Sequence, residues 1–227
     1  MNNYILATIK PWNIEAYHKK IKKIPGNWVL IDNPDLLNID YVKKINPKLI
    51  FFPHWSWKVS EEIINSFECV CFHMTDLPYG KGGSPLQNLI IRNHKETVVS
   101  ALKMESEYDS GPIYFKEKLK LEGSAHQIFK KFSIITFKLI KKIIDKKPIP
   151  IKQYGISTFF ERRKKEESLI PSNTSLEQIY DYIRMLDAPT YPKAFIRWGS
   201  KVIEFENAEI IDNKINAKVF IYETKKR

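Results

Sequence analysis

The first half of the chain alternates short apolar runs with amphipathic stretches. The apolar runs at residues 4–9, 28–31, 49–52 and 69–72 have the length of strands, and the stretches between them carry apolar side chains at helical spacing. The run at 49–52 is apolar on both faces, which is typical of a central parallel strand. This β-α-β-α-β-α-β order predicts an α/β fold, a Rossmann-like doubly wound and mostly parallel sheet with sites at the carboxyl ends of its strands.

The pattern then changes to a helix at 86–92, β-like segments at 97–104 and 113–119, and one long helix. Between Ser124 and Pro148, apolar residues recur at three- and four-residue spacing while lysines fill the other faces, which predicts a helix. We expect this helix to begin at Ser124 and to end before Pro148.

The texture changes again beyond residue 151. A polar loop at 157–171 precedes a helix at about 175–186 and β-like runs at 194–198, 201–206 and 217–222. We therefore predict a core domain, residues 1–150, and a small C-terminal α+β region, residues 151–227. The open edges of the C-terminal strands need covering, so a homodimer formed through them is a further expectation.

Composition narrows the class of protein. The 227 residues are 43% hydrophobic, enough for a packed globule, and 37 Lys and Arg against 26 Asp and Glu give a net charge of +11. Such a charge suits nucleic acid, a phosphorylated small molecule or an acidic membrane, although Ile, Asn and Lys are abundant together, as a compositional bias would also produce. Cys69 and Cys71 lie too close along one strand for an unstrained disulfide, and no apolar stretch is long enough to cross a membrane. We expect a soluble cytoplasmic protein with no membrane partner.

The densest group of candidate residues lies at 72–85. His73 ends an apolar strand, and a loop with Gly80, Gly82 and Gly83 leads from it into a helix. A titratable ring beside exposed backbone N–H groups can meet an anion or move a proton. An ordinary strand-end histidine and connecting loop would give the same pattern. The glycine spacing matches neither the phosphate loop nor the dinucleotide fingerprint.

The wider motif resembles the folate-dependent formyltransferase family. That family has the pattern Asn-x-His-x-Ser-x-Leu-Pro, a glycine loop, and then Asp-x-Gly-Pro-Ile, with His and Asp 36 residues apart; here His73 is followed by Leu77-Pro78, and Asp109 begins Asp-Ser-Gly-Pro-Ile at that distance. The resemblance extends over most of the chain, from the folate-loop region at 46–59 to the matching segments at 160–163, 179–184 and 191–195.

The resemblance implies transfer of a formyl group from N10-formyltetrahydrofolate to a primary amine, with no metal. His73 would be the base or a cationic stabiliser, and Asp109 would orient it. Taken alone, Asp109 is better explained as a turn former before Gly111.

Two positions depart from the family pattern. Cys71 stands where the family has asparagine, and a thiol is a weak hydrogen-bond donor. We count Cys71 among the catalytic candidates because of its position. Either Thr75, Asn88 or a loop N–H donates the hydrogen bond that the family's asparagine would make, or the activity is low, altered or absent. Asp76 is acidic where the family is often apolar, and it either holds the substrate amine as ammonium or caps the loop.

The resemblance also assigns the two ligand regions. For the folate, it implies His54, Trp55, Trp57, Glu107 and Tyr108, with one of the two tryptophans stacking on the pterin and the other buried structurally. For the substrate, the assigned residues are Lys10, Thr75, Asp76, Lys81, Gly82, Gly83, Arg162 and Arg163. The lysines and arginines among them would lie near the pyrophosphate of a nucleotide-linked substrate.

The acceptor class follows from a comparison within the family. Members that formylate initiator methionyl-tRNA carry a further C-terminal barrel domain, and the purine-pathway member opens with a glycine-rich loop where this chain has residues 8–13. The sequence therefore looks most like the sugar N-formyltransferases, which act on nucleotide-linked amino sugars. No nucleic-acid partner is expected. A tRNA-directed relative and a non-catalytic nucleotide-sugar or folate-binding homologue remain the alternatives.

Overall fold

The computed structural model of the protein describes residues 1–223. The chain forms two compact units, each assembled from separate stretches of sequence. The first unit comprises residues 1–82, 97–119 and 129–159, and the second comprises residues 83–96, 120–128 and the described residues from 160 onward. The predicted division into residues 1–150 and 151–227 stays a prediction.

A six-stranded sheet forms the centre of the first unit. Its order is β2-β1-β3-β4-β6-β7, with β1, β2, β3 and β4 parallel and β6 antiparallel to β4. The strands of this region are β1 Asn3–Ala7, β2 Asn27–Ile31, β3 Leu49–Pro53, β4 Cys69–His73, the two-residue β5 Lys81–Gly82, β6 Glu96–Lys103 and β7 Ile113–Lys120. The predicted doubly wound, mostly parallel sheet is confirmed.

The alternation of side chains along the central strands separates two apolar layers. Ile5 and Ile50 pack in one cluster with Val42 and Ile63 of the first unit's helices, and all four side chains are fully buried. The neighbouring residues Tyr4 and Phe51 point to the opposite face, where Trp28 packs against both rings. The helices are α1 Pro11–Lys19, α2 Ile39–Ile45, α3 Glu61–Ser66, α4 Pro85–Ile91, α5 Ala125–Lys146 and α6 Leu176–Arg184.

Helix boundaries follow local sequence signals. Asn38 and Ser60 accept hydrogen bonds from backbone N–H groups at the starts of α2 and α3. Ser124 and Gln127 bond each other's backbone N–H groups before α5, and α5 ends just ahead of Pro148, as predicted. Pro85 occupies the first turn of α4, where its missing N–H costs nothing.

The second unit carries α4, α6 and a three-stranded antiparallel sheet of order β11-β10-β9. The last strands are β8 Phe159–Phe160, β9 Ala194–Trp198, β10 Lys201–Ile211 and β11 Lys214–Glu223. The β10–β11 hairpin is longer than predicted, because Asp212 and Asn213 both take positive φ and so form a tight two-residue turn. The predicted homodimer through these strands stays a prediction.

Candidate functional site

His73 and Asp109 meet at the carboxyl end of β4. His73 is the last residue of the strand, and its Nδ1 lies 3.4 Å from Oδ1 of Asp109. Both side chains are largely buried, with 9% and 16% of their surface exposed. The two residues that the sequence pairs across 36 positions are therefore in direct contact in the first unit, at the end of the sheet where α/β folds place their sites.

The other ring nitrogen of His73 also faces an oxygen. Nε2 lies 2.8 Å from the carbonyl oxygen of Gly80, which accepts a second hydrogen bond from Thr75 Oγ1 at 3.2 Å. The ring thus lies between two oxygen acceptors, one at each nitrogen.

Asp109 occupies a constrained turn. Its φ is +53°, a left-handed conformation that aspartate adopts more readily than most residues. Its second carboxylate oxygen accepts a 2.9 Å hydrogen bond from the N–H of Gly82. Two residues on, a Cβ atom at Gly111 would lie 1.9 Å from the carbonyl oxygen of Lys103, so only glycine fits there. The carboxylate is thereby fixed between the glycine loop and His73.

Cys71 lies two residues before His73, on the same side of β4. Burial raises the pKa of its thiol well above the ordinary value, and the nearby Asp109 carboxylate raises that pKa further. Burial also raises the pKa of Cys69, to about 12, with a smaller contribution from Glu68. Both cysteines are reduced, as predicted for residues on one strand, and both are held as thiols.

The groups that the sequence offers in place of the family's asparagine already donate elsewhere. Thr75 Oγ1 donates to Gly80, and Asn88 Nδ2 donates to three backbone carbonyls within the second unit. The N–H groups of Gly80, Lys81 and Gly82 donate to Thr158 Oγ1, Thr158 O and Asp109 Oδ2. The Thr75 hydroxyl and the loop N–H groups thus shape the loop around His73, and the Asn88 amide holds backbone within the second unit.

The predicted folate residues that follow β3 form an aromatic loop. His54 has a φ of +60°, and its ring packs edge-on against Phe129 and Phe132. Burial, with a smaller contribution from Lys10, lowers the pKa of His54 to about 3, so this ring is neutral. Trp55 is half-buried and Trp57 is 46% exposed, with ring centroids 5.3 Å apart. Trp55 is therefore the more buried of the two.

Polar atoms on that loop are left unused. His54 Nδ1 and Trp55 Nε1 are buried, and neither has a hydrogen-bond partner among residues 1–223. An exposed indole ring beside two unused polar atoms suits a flat heteroaromatic ligand with donors and acceptors on its edge. Glu107 and Tyr108 are both exposed and lie directly before Asp109.

A cleft of about 400 Å³ opens beside the Asp109 turn. Polar and charged side chains of the first unit line much of it: Lys81, Glu105, Ser110, Lys152, Gln153 and Ser157. Its volume lies in the range of small-molecule sites.

The predicted cations of the first unit are both enclosed. Lys10 is 9% exposed, with its Nζ 5.8 Å from the Trp12 ring, and Lys81 is 8% exposed, with its Nζ 5.7 Å from the Phe159 ring. Asp76 pairs with Lys116 at 2.5 Å, and Lys116 also donates to the carbonyl oxygen of Leu77. Asp76 is thus part of the loop's own support.

The remaining substrate candidates belong to the second unit. Gly83 packs tightly on the backbone of Arg162, where a Cβ would lie 2.5 Å from the Arg162 Cα. Arg162 is exposed, whereas Arg163 donates to the carbonyl oxygen of Glu167 at 2.5 Å and has its Nη1 3.6 Å from that residue's carboxylate. Arg163 therefore stabilises its own turn.

Two polar residues near the site were missed by the sequence reasoning. Gln153 Nε2 donates to the carbonyl oxygens of Asp109 and Gly111, and Thr158 Oγ1 accepts from the N–H of Gly80. Both lie in an irregular stretch after Pro150, where neither periodicity nor motif spacing distinguishes them from loop residues.

Neither a metal-binding cluster nor a membrane-spanning helix is found among residues 1–223. Within residues 1–223, no three His, Cys, Asp or Glu side chains come together in a way that could hold a metal ion. Over the same residues, the helices are too short or too polar to cross a bilayer.

The sequence and fold match known proteins. The family model of the methionyl-tRNA formyltransferase C-terminal domain matches residues 165–222. A solved structure of a methionyl-tRNA formyltransferase from Clostridium thermocellum is 48% identical, with a TM-score of 0.96, over 99% of this chain and 100% of its own.

More distant matches agree on the fold. The bifunctional polymyxin resistance protein ArnA of Wigglesworthia glossinidia brevipalpis is 28% identical over 83% of this chain and 31% of its own length. A 4-N formyltransferase from Francisella tularensis shares the fold at 15% identity, with a TM-score of 0.69 over 100% of this chain and 99% of its own. The chain spans 31% to 63% of the first curated relatives it matches, which is less than two thirds of each.

We predict that neither native cysteine reacts with iodoacetamide at pH 8 while the protein is folded. The thiolate is the reactive form, and the raised pKa values leave almost none of it. Mass spectrometry should find both residues unlabelled in buffer and labelled in guanidinium chloride. The exposed variant Ser56→Cys supplies the control, because its new thiol should label in buffer. Rapid labelling of Cys71 in the folded wild type would contradict the prediction.

Proposed function

The chain belongs to the formyltransferase family, and from this premise we propose that it is an N-formyltransferase acting on a primary amine. The observation that carries the proposal is the His73–Asp109 contact at the end of β4, with the ring's second nitrogen on the Gly80 carbonyl. The family's formyl donor is N10-formyltetrahydrofolate, which supplies the group that is transferred.

The chemistry assigns each residue of the pair a task. Formyl transfer joins the amine nitrogen to the formyl carbon and develops negative charge on the formyl oxygen. The bond from that carbon to N10 then breaks, and the proton lost by the amine nitrogen ends on N10 of the released tetrahydrofolate. His73 serves either as the group that stabilises this oxygen or as the base that takes the proton, and Asp109 holds the ring in place. As the base, His73 would use Nε2, the nitrogen now bonded to Gly80, so this role requires that hydrogen bond to open.

The residues of the first unit fit the donor. Trp57 offers an exposed ring for stacking, and His54 Nδ1 and Trp55 Nε1 are polar atoms still in need of partners. His54 stays neutral at physiological pH because its pKa is lowered to about 3, and an uncharged ring suits the neutral pterin edge.

We assign the acceptor to the amino sugars linked to nucleoside diphosphates. The support is the cleft of about 400 Å³ beside the Asp109 turn, since its volume suits a small molecule and it is lined by Lys81 and Lys152. Lys81 is nearly buried and forms no ion pair with a carboxylate of residues 1–223. Its ammonium group is therefore suited to binding a diphosphate. This assignment rests on the cleft and on Lys81 in its wall.

A tRNA acceptor is the second candidate. It is favoured by the name of the 48% identical relative and by the family model matched at residues 165–222. The lysine face of α5 would be its phosphate contact. On that face Lys138 pairs with Glu117, Lys141 pairs with Asp145, and Lys142 lies 4.1 Å from the centre of the Phe115 ring. These contacts are the reason that we rank it second.

The acceptor is identified by release of tetrahydrofolate from N10-formyltetrahydrofolate. We expect turnover with a nucleoside-diphosphate-linked 3- or 4-amino sugar and none with initiator methionyl-tRNA. Turnover with the tRNA, at a KM that rises steeply with salt, would replace the sugar by the second candidate. Binding of folate or nucleotide sugar with no turnover on any acceptor would show a non-catalytic homologue.

His73→Ala and Asp109→Asn should each lower kcat by at least roughly a hundredfold, because each removes half of the charge-stabilising pair. Steady-state kinetics measure this, with circular dichroism to confirm folding. Asp145→Asn is the matched control: it removes an exposed carboxylate from α5 and should leave kcat unchanged. Full activity in both site variants would refute the catalytic roles of His73 and Asp109, although the protein could still transfer a formyl group.

Cys71→Asn should raise kcat, by up to roughly tenfold, because it places an amide donor two residues before His73 where the chain now has a partly buried thiol. Cys71→Ser, which carries a smaller hydroxyl donor, provides a second test if the asparagine variant is unstable. Cys71→Ala is the control without a donor. A decrease in kcat with both Asn and Ser in folded proteins would mean that the thiol itself has the better geometry.

A further inference from the structure

A short segment at residues 151–158 contacts both halves of the His73–Asp109 site. It begins where Ile151 and Ile113 exchange two backbone hydrogen bonds of 2.7 and 2.9 Å. It ends where Thr158 O accepts from the N–H of Lys81 at 2.9 Å. Every one of these residues belongs to the first unit. We call residues 151–158 the strap.

The first site contact of the strap is made by Gln153. Its Nε2 donates to the carbonyl oxygens of Asp109, at 2.7 Å, and Gly111, at 2.9 Å. Two carbonyl acceptors on one atom identify that atom as the nitrogen of the amide. Both of its hydrogens are used to hold the residues on either side of Ser110.

The Gln153 hydrogen bonds stabilise an unfavourable backbone conformation at Asp109. Asp109 is left-handed, with a φ of +53°, and the Gly111 position tolerates no side chain. Gln153 Oε1 is buried and has no hydrogen-bond partner among residues 1–223, so the amide is held by its nitrogen alone. The Gln153 amide therefore fixes the turn from which the Asp109 carboxylate reaches His73 and Gly82.

The second contact is made by Thr158. Its Oγ1 accepts from the N–H of Gly80 at 2.8 Å, and the carbonyl oxygen of Gly80 is the acceptor that faces His73 Nε2. Through this hydrogen bond the strap also sets the acceptor on the opposite side of the imidazole ring. One segment thus orients the partners of both ring nitrogens.

We propose that Gln153 and Thr158 are positioning residues, which together hold the Asp109 carboxylate and the Gly80 carbonyl at the two nitrogens of His73. The proposal rests on the proposed function for its kinetic consequence, but its structural consequence, the state of the His73 ring, is measurable without turnover.

Gln153→Met keeps the length of the side chain and removes the two donated hydrogen bonds. It should lower kcat by roughly ten- to a hundredfold with the KM for the folate donor within about twofold, because misplacing a catalytic group affects the chemical step more than donor binding. The His73 ring ¹⁵N resonances should shift in the same variant. Tyr154→Ala is the control within the strap, since Tyr154 is 99% exposed, and it should change neither.

Thr158→Val and Thr158→Ser test the second contact. The valine variant removes the acceptor for Gly80 at nearly constant volume, whereas serine keeps it, so kcat and the His73 signals should change with valine and be restored with serine. Variants that melt at lower temperature yet keep wild-type kcat and unshifted His73 resonances would overturn the proposal. If the wild type transfers no formyl group, the proposed function fails, and unshifted resonances in Gln153→Met would then refute the positioning role separately.

Discussion

The Asp109 carboxylate is the group on which the rest of the site depends. One oxygen faces His73 Nδ1 at 3.4 Å, and the other accepts from the Gly82 N–H at 2.9 Å. It is mostly buried, and a buried carboxylate is costly unless its lone pairs are met by donors. The glycine loop and the histidine are therefore drawn to the same point. The turn with φ of +53° places the carboxylate there, and the Gly111 contact with β6 leaves that turn little freedom.

The sequence predicted the sheet more completely than the site. Apolar runs of strand length, the helical spacing between them and the helix start at Ser124 are local signals, and they located the elements to within a few residues. The hairpin of β10 and β11 was underestimated, since its surface is mostly exposed and offers little apolar alternation. Its turn residues Asp212 and Asn213 were the usable signal.

In the site, spacing and motif found His73 and Asp109, but they could not find what holds them. Gln153 acts through side-chain donation to backbone carbonyls, and any polar residue of the right reach can do this, so its identity leaves no pattern in one sequence. The same limit explains Asp76 and Arg163. Asp76 was predicted either to hold the substrate amine or to cap the loop, and Arg163 was predicted to lie near a pyrophosphate. Each has a nearby partner of opposite charge, Lys116 and Glu167, that the sequence alone could not pair with it, and contact with substrate stays a prediction for both.

The net charge of +11 has a more specific meaning once the lysines are located. Lysines on exposed faces are paired or solvated, and such pairs contribute little to binding or stability. Lys81 differs from these lysines because it is only 8% exposed. It stands between Gly80 and Gly82 in the glycine loop and lines the cleft beside Asp109. A buried ammonium is tolerated where a ligand anion meets it, and there it is worth more than a charge in water. In the function proposed above, a small phosphorylated acceptor would supply that anion to Lys81.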